Sequence, residues 1–207
     1  MTILHAVPWD HVLALVLFCV STALTPGPNN FMIMNSALQH GVLKSMPHYV
    51  GICAGFGVMV FMVALSLGQL MQYVLVLKPL LAVLGSAYLV YLAWGLWHSH
   101  GHVTQTAMVK PWRLFHALAF QWVNPKAWIM ALSVMTLFAL TSNVMWNAVF
   151  LSVIFFMVCL PCIGVWLVGG HLLQRYLQSE QRKQLFNKIL ALGLLLSIVL
   201  MLSLIHI

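Results

Sequence analysis

The stretch Thr25-Pro26-Gly27-Pro28-Asn29-Asn30 interrupts a long apolar run, and its residue types bear directly on chemistry. Proline has no N–H and its ring clashes with the preceding turn, so it frees backbone carbonyls. Two prolines and a glycine within three residues go beyond a kink. The chain is expected to unwind over Thr25–Pro28 and to restart as helix at Asn29–Phe31. A restarting helix presents unpaired N–H groups and the positive end of its dipole, which suit a carboxylate. The carbonyls before the break suit an ammonium group. One broken helix can thus address both ends of a zwitterion. A second interruption, Gln121-Trp122-Val123-Asn124-Pro125-Lys126, stands later in the chain. The competing reading of either is a packing kink, since prolines are common in membrane helices; it weighs more for Asn124-Pro125 alone.

The candidate substrate-binding residues are therefore Thr25, Pro26, Gly27, Pro28, Asn29, Asn30, Asn124, Pro125 and Lys126. Lys126 is expected to face a cavity and meet the substrate carboxylate, against the alternative of snorkelling to the membrane surface. Asn29, Asn30 and Asn124 can donate and accept, either to substrate or as caps of the broken helices. Phe31, Trp122 and Trp128 would place an aromatic face beside an ammonium or simply pack. No acid lies in any apolar run, so His48 and His116, with His40 nearby, are the candidates for proton coupling; the alternative for each is an interfacial position.

Other groups carry weaker signals. Cys159-Leu-Pro-Cys162 has the spacing of a redox pair but lies in an apolar run with no basic neighbour, as apolar packing would. His98, His100 and His102 alternate in a polar loop and could touch a metal, but no metal ligand set is assigned. Gly51, Gly55 and Gly57 form a small-residue face for a homodimer or for another helix of the same chain. No cofactor is expected.

The elements that must position these residues follow from composition. Of 207 residues, 63% are hydrophobic and 5% charged, with only Asp10 and Glu180 against nine Lys+Arg. The mean hydropathy is +1.01. A soluble domain carries about 25% charged residues, so a soluble enzyme, a disordered chain and a disulfide-rich module are excluded. The net charge of +7 is spread thinly between apolar runs. That is a membrane-topology pattern rather than a nucleic-acid-binding face. The N-terminus lacks a basic start and carries Asp10, so the first apolar run is read as retained.

The expected fold is an all-α integral membrane protein with six transmembrane helices. A span needs about 20 apolar residues. The runs are about His11–Leu24 continuing towards Ala37, His48–Met71, Leu80–Trp97, Phe115–Leu140, Asn147–Gly170 and Ile189–Ile207. Gln174–Lys188 reads equally as a short interfacial helix or a solvated loop. Loops after the first, third and fifth runs carry Lys44, Lys110, Arg113, Arg175, Arg182, Lys183 and Lys188, against Lys78 opposite. The positive-inside rule then puts both termini in the periplasm, with Trp9 and Trp146 in an outer aromatic belt and Trp94, Trp97 and Trp112 in an inner one.

Split near Gly101, the chain forms two inverted three-helix repeats, residues 9–97 and 115–207, joined by a cytoplasmic loop 98–114 within a single transporter domain. Each half opens with a broken helix, the first and the fourth. Placing Pro28 over Pro125 also puts Phe31 over Trp128 and Ser36 over Ser133. Interrupted helices at matching positions of inverted repeats point to a transporter binding site near the bilayer midplane.

The stretch Ser21–Asn30, followed by Gly41 and Pro47-His48, resembles the signature of the LysE/RhtB family of bacterial amino-acid exporters. Phe120-Gln121-Trp122-Val123-Asn124-Pro125-Lys126-Ala127 is similar to that family's second signature, and Gly169-Gly170-His171 also agrees. The resemblance implies a non-enzymatic secondary exporter of amino acids across the bacterial inner membrane, driven by the proton-motive force. Its Thr-Pro-Gly-Pro-Asn-Asn form is similar to the branch handling cysteine, O-acetylserine, homoserine or threonine. The absence of an intramembrane acid argues independently for a neutral substrate. The expected partners are that small molecule and membrane lipid, with a homodimer open. The alternatives are a thiol-redox carrier, a metal-ion exporter and a non-transporting scaffold.

Overall fold

The computed structural model describes residues 8–66, 111–139, 143–177 and 179–205, with residues 83, 86–87, 89–91 and 93–98 between them. All regular structure among the described residues is helical. Helix α1, Trp9–Leu24, has no proline or glycine inside it and ends where Thr25 precedes Pro26. A residue before proline is driven out of the helical region, and Thr25 adopts φ −59°, ψ 138°. The hydroxyls of Ser21 and Thr22 donate back to Phe18 O at 2.9 and 2.7 Å, so neither is left bare in apolar surroundings.

Helix α2, Pro28–Ser66, starts with a proline, whose missing N–H is harmless at a first position. Pro28 is thus helical, and the unwound stretch is one residue shorter than its sequence suggested. Gly41 at φ 80°, ψ 171° divides α2 into limbs 28–40 and 42–66. Only glycine takes that conformation cheaply. The hydroxyls of Ser36 and Ser45 meet across the turn at 2.8 Å, both buried. The second run therefore becomes helical at residue 42, earlier than expected, because one glycine reverses the chain where a polar loop was expected. His48 consequently lies inside the limb and not at its opening.

Helix α3, Leu114–Phe120, and helix α4, Pro125–Phe138, are the two parts of the fourth run. Helix α5, Val144–Leu173, covers the fifth run with Pro161 inside it. Helix α6, Glu180–Ile205, carries the polar segment and the sixth run as one element. Neither reading of Gln174–Lys188 holds over its full length. A turn at residues 174–176 is followed by helix, with Ser179 Oγ accepting from Arg182 N at 3.3 Å and Lys183 paired to Glu180 at 3.0 Å. Of the third run, residues 83, 86–87, 89–91 and 93–97 are helical. The rest of that run, and most of the loop 98–114 with His100 and His102, lies outside the described residues.

Helix α5 lies along α2 in the most extensive packing among the described helices, and α1 and α4 close against this pair. One buried core joins Leu15, Ile52, Phe56, Met59, Val134, Phe155 and Ile163. A second joins Phe31, Met32 and Met34 to Leu89, Ala93, Leu96, Leu190 and Leu194. Glycines set the closest crossings. A Cβ on Gly51 would strike the Leu114 carbonyl, and one on Gly170 the Met34 carbonyl. A Cβ on Gly55 would sit 2.7 Å from Gln121 Cγ, and one on Gly57 3.3 Å from Phe156 Cβ. The small face of Gly51, Gly55 and Gly57 is thus filled by α3 and α5 of the same chain. Facing outward are Leu13, Leu17, Val153, Met157, Val165, Leu192 and Leu196. A helix such as α5, apolar on its outer and inner faces alike, belongs in lipid.

Candidate functional site

The two interruptions meet. Lys126 Nζ donates to Thr25 O at 2.7 Å and to Thr25 Oγ1 at 2.9 Å, and leans on Pro26 O at 3.4 Å. One turn away, Asn29 Nδ2 donates to Gln121 Oε1 at 2.8 Å, and Gln121 Nε2 donates to Asn29 Oδ1 at 3.3 Å. Residues 92 to 101 positions apart are held by charge-assisted and reciprocal amide bonds. The amide pair is buried, while the bonds of Lys126 lie at the exposed Thr25 and Pro26; a charged donor makes the shorter and stronger bond of the two kinds.

Each break satisfies its own backbone differently. At the first, Thr25 Oγ1 donates to Thr22 O at 2.7 Å, and Asn30 Nδ2 donates to Ala23 O and Thr25 O at 2.9 and 2.8 Å. Helix α2 resumes with Phe31 N donating to Gly27 O at 3.0 Å. At the second, the backbone tightens instead of opening. Gln121, Trp122 and Val123 donate to carbonyls three residues back, at 3.1 to 3.3 Å. Asn124 then caps α4, its Oδ1 accepting from Lys126 N at 3.1 Å, and Pro125 takes the first helical position. Trp128 Nε1 donates to Trp122 O at 2.8 Å, locking the turn.

Gly27, Pro28, Asn29, Asn30, Asn124 and Lys126 line one cavity together with Thr22, Ala23, Phe56, Met130 and Ile163. It encloses about 220 Å3 of unfilled space including its mouth, of which about 10 Å3 admits the centre of a water molecule. That is room for one water at most. Asn124 is buried and its Nδ2 has no partner. A buried amide donor left unmade costs about 1–3 kcal/mol, so this atom marks a place for an acceptor. No carboxylate lines the cavity, and both acids of the chain, Asp10 and Glu180, are exposed at the starts of α1 and α6. Lys126 is balanced by the carbonyls of Thr25 and Pro26 and the Thr25 hydroxyl, and an incoming anion meets the lysine and the unpaired Asn124 Nδ2 with no carboxylate beside them.

Of the sequence-predicted residues, Thr25 and Pro26 reach the site through their carbonyls and Pro125 by starting α4. Phe31 packs edge-on against Trp166 at 5.7 Å in the second core. Trp122 and Trp128 pack on each other at 5.8 Å. None of the three lines the cavity. His48 is buried with Nδ1 unpartnered, and its ring lies 5.5 Å from Trp112; the exposed His116 lies 6.4 Å from the same tryptophan. Neither histidine lines the cavity. All four cysteines are buried free thiols. Among the described residues no group of three His, Cys, Asp or Glu is placed to hold a metal. Gln121 is the residue sequence reasoning missed: it is 0% exposed, and also donates to Ala117 O at 2.8 Å. Its signal was an amide beside a proline break in an apolar run, as Asn29 is after the first break and Asn124 before Pro125.

Interrupted helices that exchange polar contacts inside an apolar helical bundle define a membrane protein of the translocating class. The chain belongs to the LysE family: the LysE type translocator pattern matches residues 20–204. It is 30% identical over 166 residues to a cysteine/O-acetylserine efflux protein of Klebsiella pneumoniae, covering 78% of this chain and 83% of that one. It is 31% identical over 183 residues to a protein of the same name in Salmonella typhimurium, covering 84% and 89%. A third, from Escherichia coli strain K12, is 31% identical over 181 residues, with the same coverage. No solved structure matches the chain.

Proposed function

We propose that this protein is a secondary exporter, not an enzyme, carrying small neutral amino acids of the cysteine or O-acetylserine type out across the bacterial inner membrane, driven by the proton-motive force. The observation that carries this reading is the meeting of the two interrupted helices at Lys126 and Gln121. The names of the relatives support the substrate class. So does the cavity's make-up: amide donors, carbonyl acceptors and a lysine, with no acid to neutralise a cationic side chain. A dibasic substrate would carry a second ammonium into a site with no carboxylate to receive it.

In this reading the chain is one transporter domain, residues 1–207, built of two inverted three-helix halves with both termini periplasmic. One half rocks against the other around the two breaks. Thr25, Pro26, Gly27, Pro28, Asn29 and Asn30 from the first half and Asn124, Pro125 and Lys126 from the second form the binding site. His48 is the proton-coupling candidate best placed inside the bundle, and His116 stands at its rim.

The test is uptake into inverted vesicles from cells expressing the chain, offered cysteine, O-acetylserine, homoserine, threonine, lysine and arginine with and without a proton gradient. Gradient-dependent uptake of a neutral member is expected. Uptake confined to lysine or arginine, or no gradient-dependent uptake at all, would overturn the proposal.

A further inference from the structure

We propose that Lys126 is a tethered stand-in for the substrate's own ammonium group, so that binding is an exchange of one ammonium for another at the Thr25 carbonyl. This rests on the function proposed above.

The seat that the first break offers to an ammonium is filled. Lys126 Nζ takes Thr25 O and Thr25 Oγ1 at 2.7 and 2.9 Å. A lysine head and an α-ammonium are the same group chemically, each a three-donor cation. The lysine stem occupies the site as well. A Cβ on Gly27 would lie 3.0 Å from both Lys126 Cδ and Nζ, so the stem runs directly over that glycine. With the lysine in place the cavity admits one water and no amino acid. Withdrawing the lysine both frees the seat and opens the volume.

The displaced lysine then needs an anion, and the described lining has none. A zwitterion brings one. Its ammonium takes the Thr25 carbonyl while its carboxylate meets the released Lys126 and the unpartnered Nδ2 of Asn124. Every charge in the exchange finds a partner. A simple amine displaces the lysine but strands it. A simple carboxylate cannot displace it. An amino acid acylated on nitrogen has no ammonium to trade. The site therefore selects for two charges on one small molecule, and the empty carrier is held shut by its own side chain.

The experiment is isothermal calorimetry on the purified full chain in detergent micelles, with propylammonium, propionate, O-acetylserine and N-acetylserine as probes. In the wild type, O-acetylserine binds and propylammonium and N-acetylserine bind weakly or not at all. Lys126→Met vacates the seat, so propylammonium should bind about tenfold tighter or more, the worth of one charge-assisted hydrogen bond, while the preference for O-acetylserine over propylammonium shrinks. Lys126→Gln, which keeps a polar side chain of similar reach without the charge, should shift propylammonium in the same direction and covers the case in which Met disturbs the fold. Unchanged or weaker propylammonium binding in both variants, with O-acetylserine still bound by the wild type, would overturn this inference and leave the exporter reading standing. Failure of O-acetylserine and propylammonium to bind any form would overturn both.

Discussion

Replacing Gln121 and Asn29 separately and together tests whether the two interruptions touch. Gln121→Met keeps the length of the side chain and removes its amide; Asn29→Leu does the same at the facing position. Each single change leaves a buried amide facing an apolar group, where two hydrogen bonds of 2.8 and 3.3 Å had been. An orphaned buried polar group costs about 1–3 kcal/mol. Gln121→Met also takes a donor from Ala117 O, so it should be the more damaging single change. In the double variant both amides are gone together, and matched apolar partners approach neutrality. Side-chain hydrogen bonds inside membrane proteins average about 0.6 kcal/mol in such cycles, so two of them predict a coupling of about 1 kcal/mol. The double variant should be less damaged than the sum of the singles by that amount. Reversible unfolding of the purified chain in mixed detergent micelles reads all four stabilities. Sites that do not touch add within about 0.3–0.5 kcal/mol. Additivity within that margin would refute the contact and, with it, the idea that one site is built from both halves.

Other expectations are simpler to check. Gly170→Ala drives a methyl into the Met34 carbonyl, whereas Gly169 has nothing within 4 Å of its would-be Cβ. The first should cost about 1–3 kcal/mol by overpacking and the second should be neutral or stabilising by up to about 1 kcal/mol, both read from thermal melts in detergent. Gly41→Ala forces a side chain into φ 80°, ψ 171° and should cost about 1–3 kcal/mol, with lower yield of folded protein. Cys159→Ala and Cys162→Ala should leave efflux of a neutral amino acid intact in a cell-based assay. Loss of transport with either would restore the thiol-carrier alternative.

Local interruption was legible in the sequence because proline and glycine act on the backbone wherever they stand. Thr25–Pro28 and Asn124-Pro125 were placed to within a residue on that ground alone. What those breaks face was not legible, since nothing in Lys126 or its neighbours encodes a partner 101 positions earlier. Lys126 was expected to wait for a carboxylate, and it is instead bonded to the carbonyls assigned to the substrate's ammonium. Gln121 was passed over because glutamine, unlike asparagine, has little capping tendency of its own; its role arises only from the facing Asn29. The polar residues Gln39, His40, Lys44 and Ser45 read as a loop, yet all are helical. Hydropathy marks the end of an apolar run, not the end of a helix, and a single left-handed glycine is enough for the turn.

That glycine has a mechanical corollary. A reversal made by one residue, with Ser36 and Ser45 bolting the arms together above it, leaves no slack between them. The 39 residues from Pro28 to Ser66 are thus tied as one elbow, and the non-helical joint at their near end is Thr25–Gly27, which Lys126 pins through Thr25. Any push delivered there swings both arms as one lever.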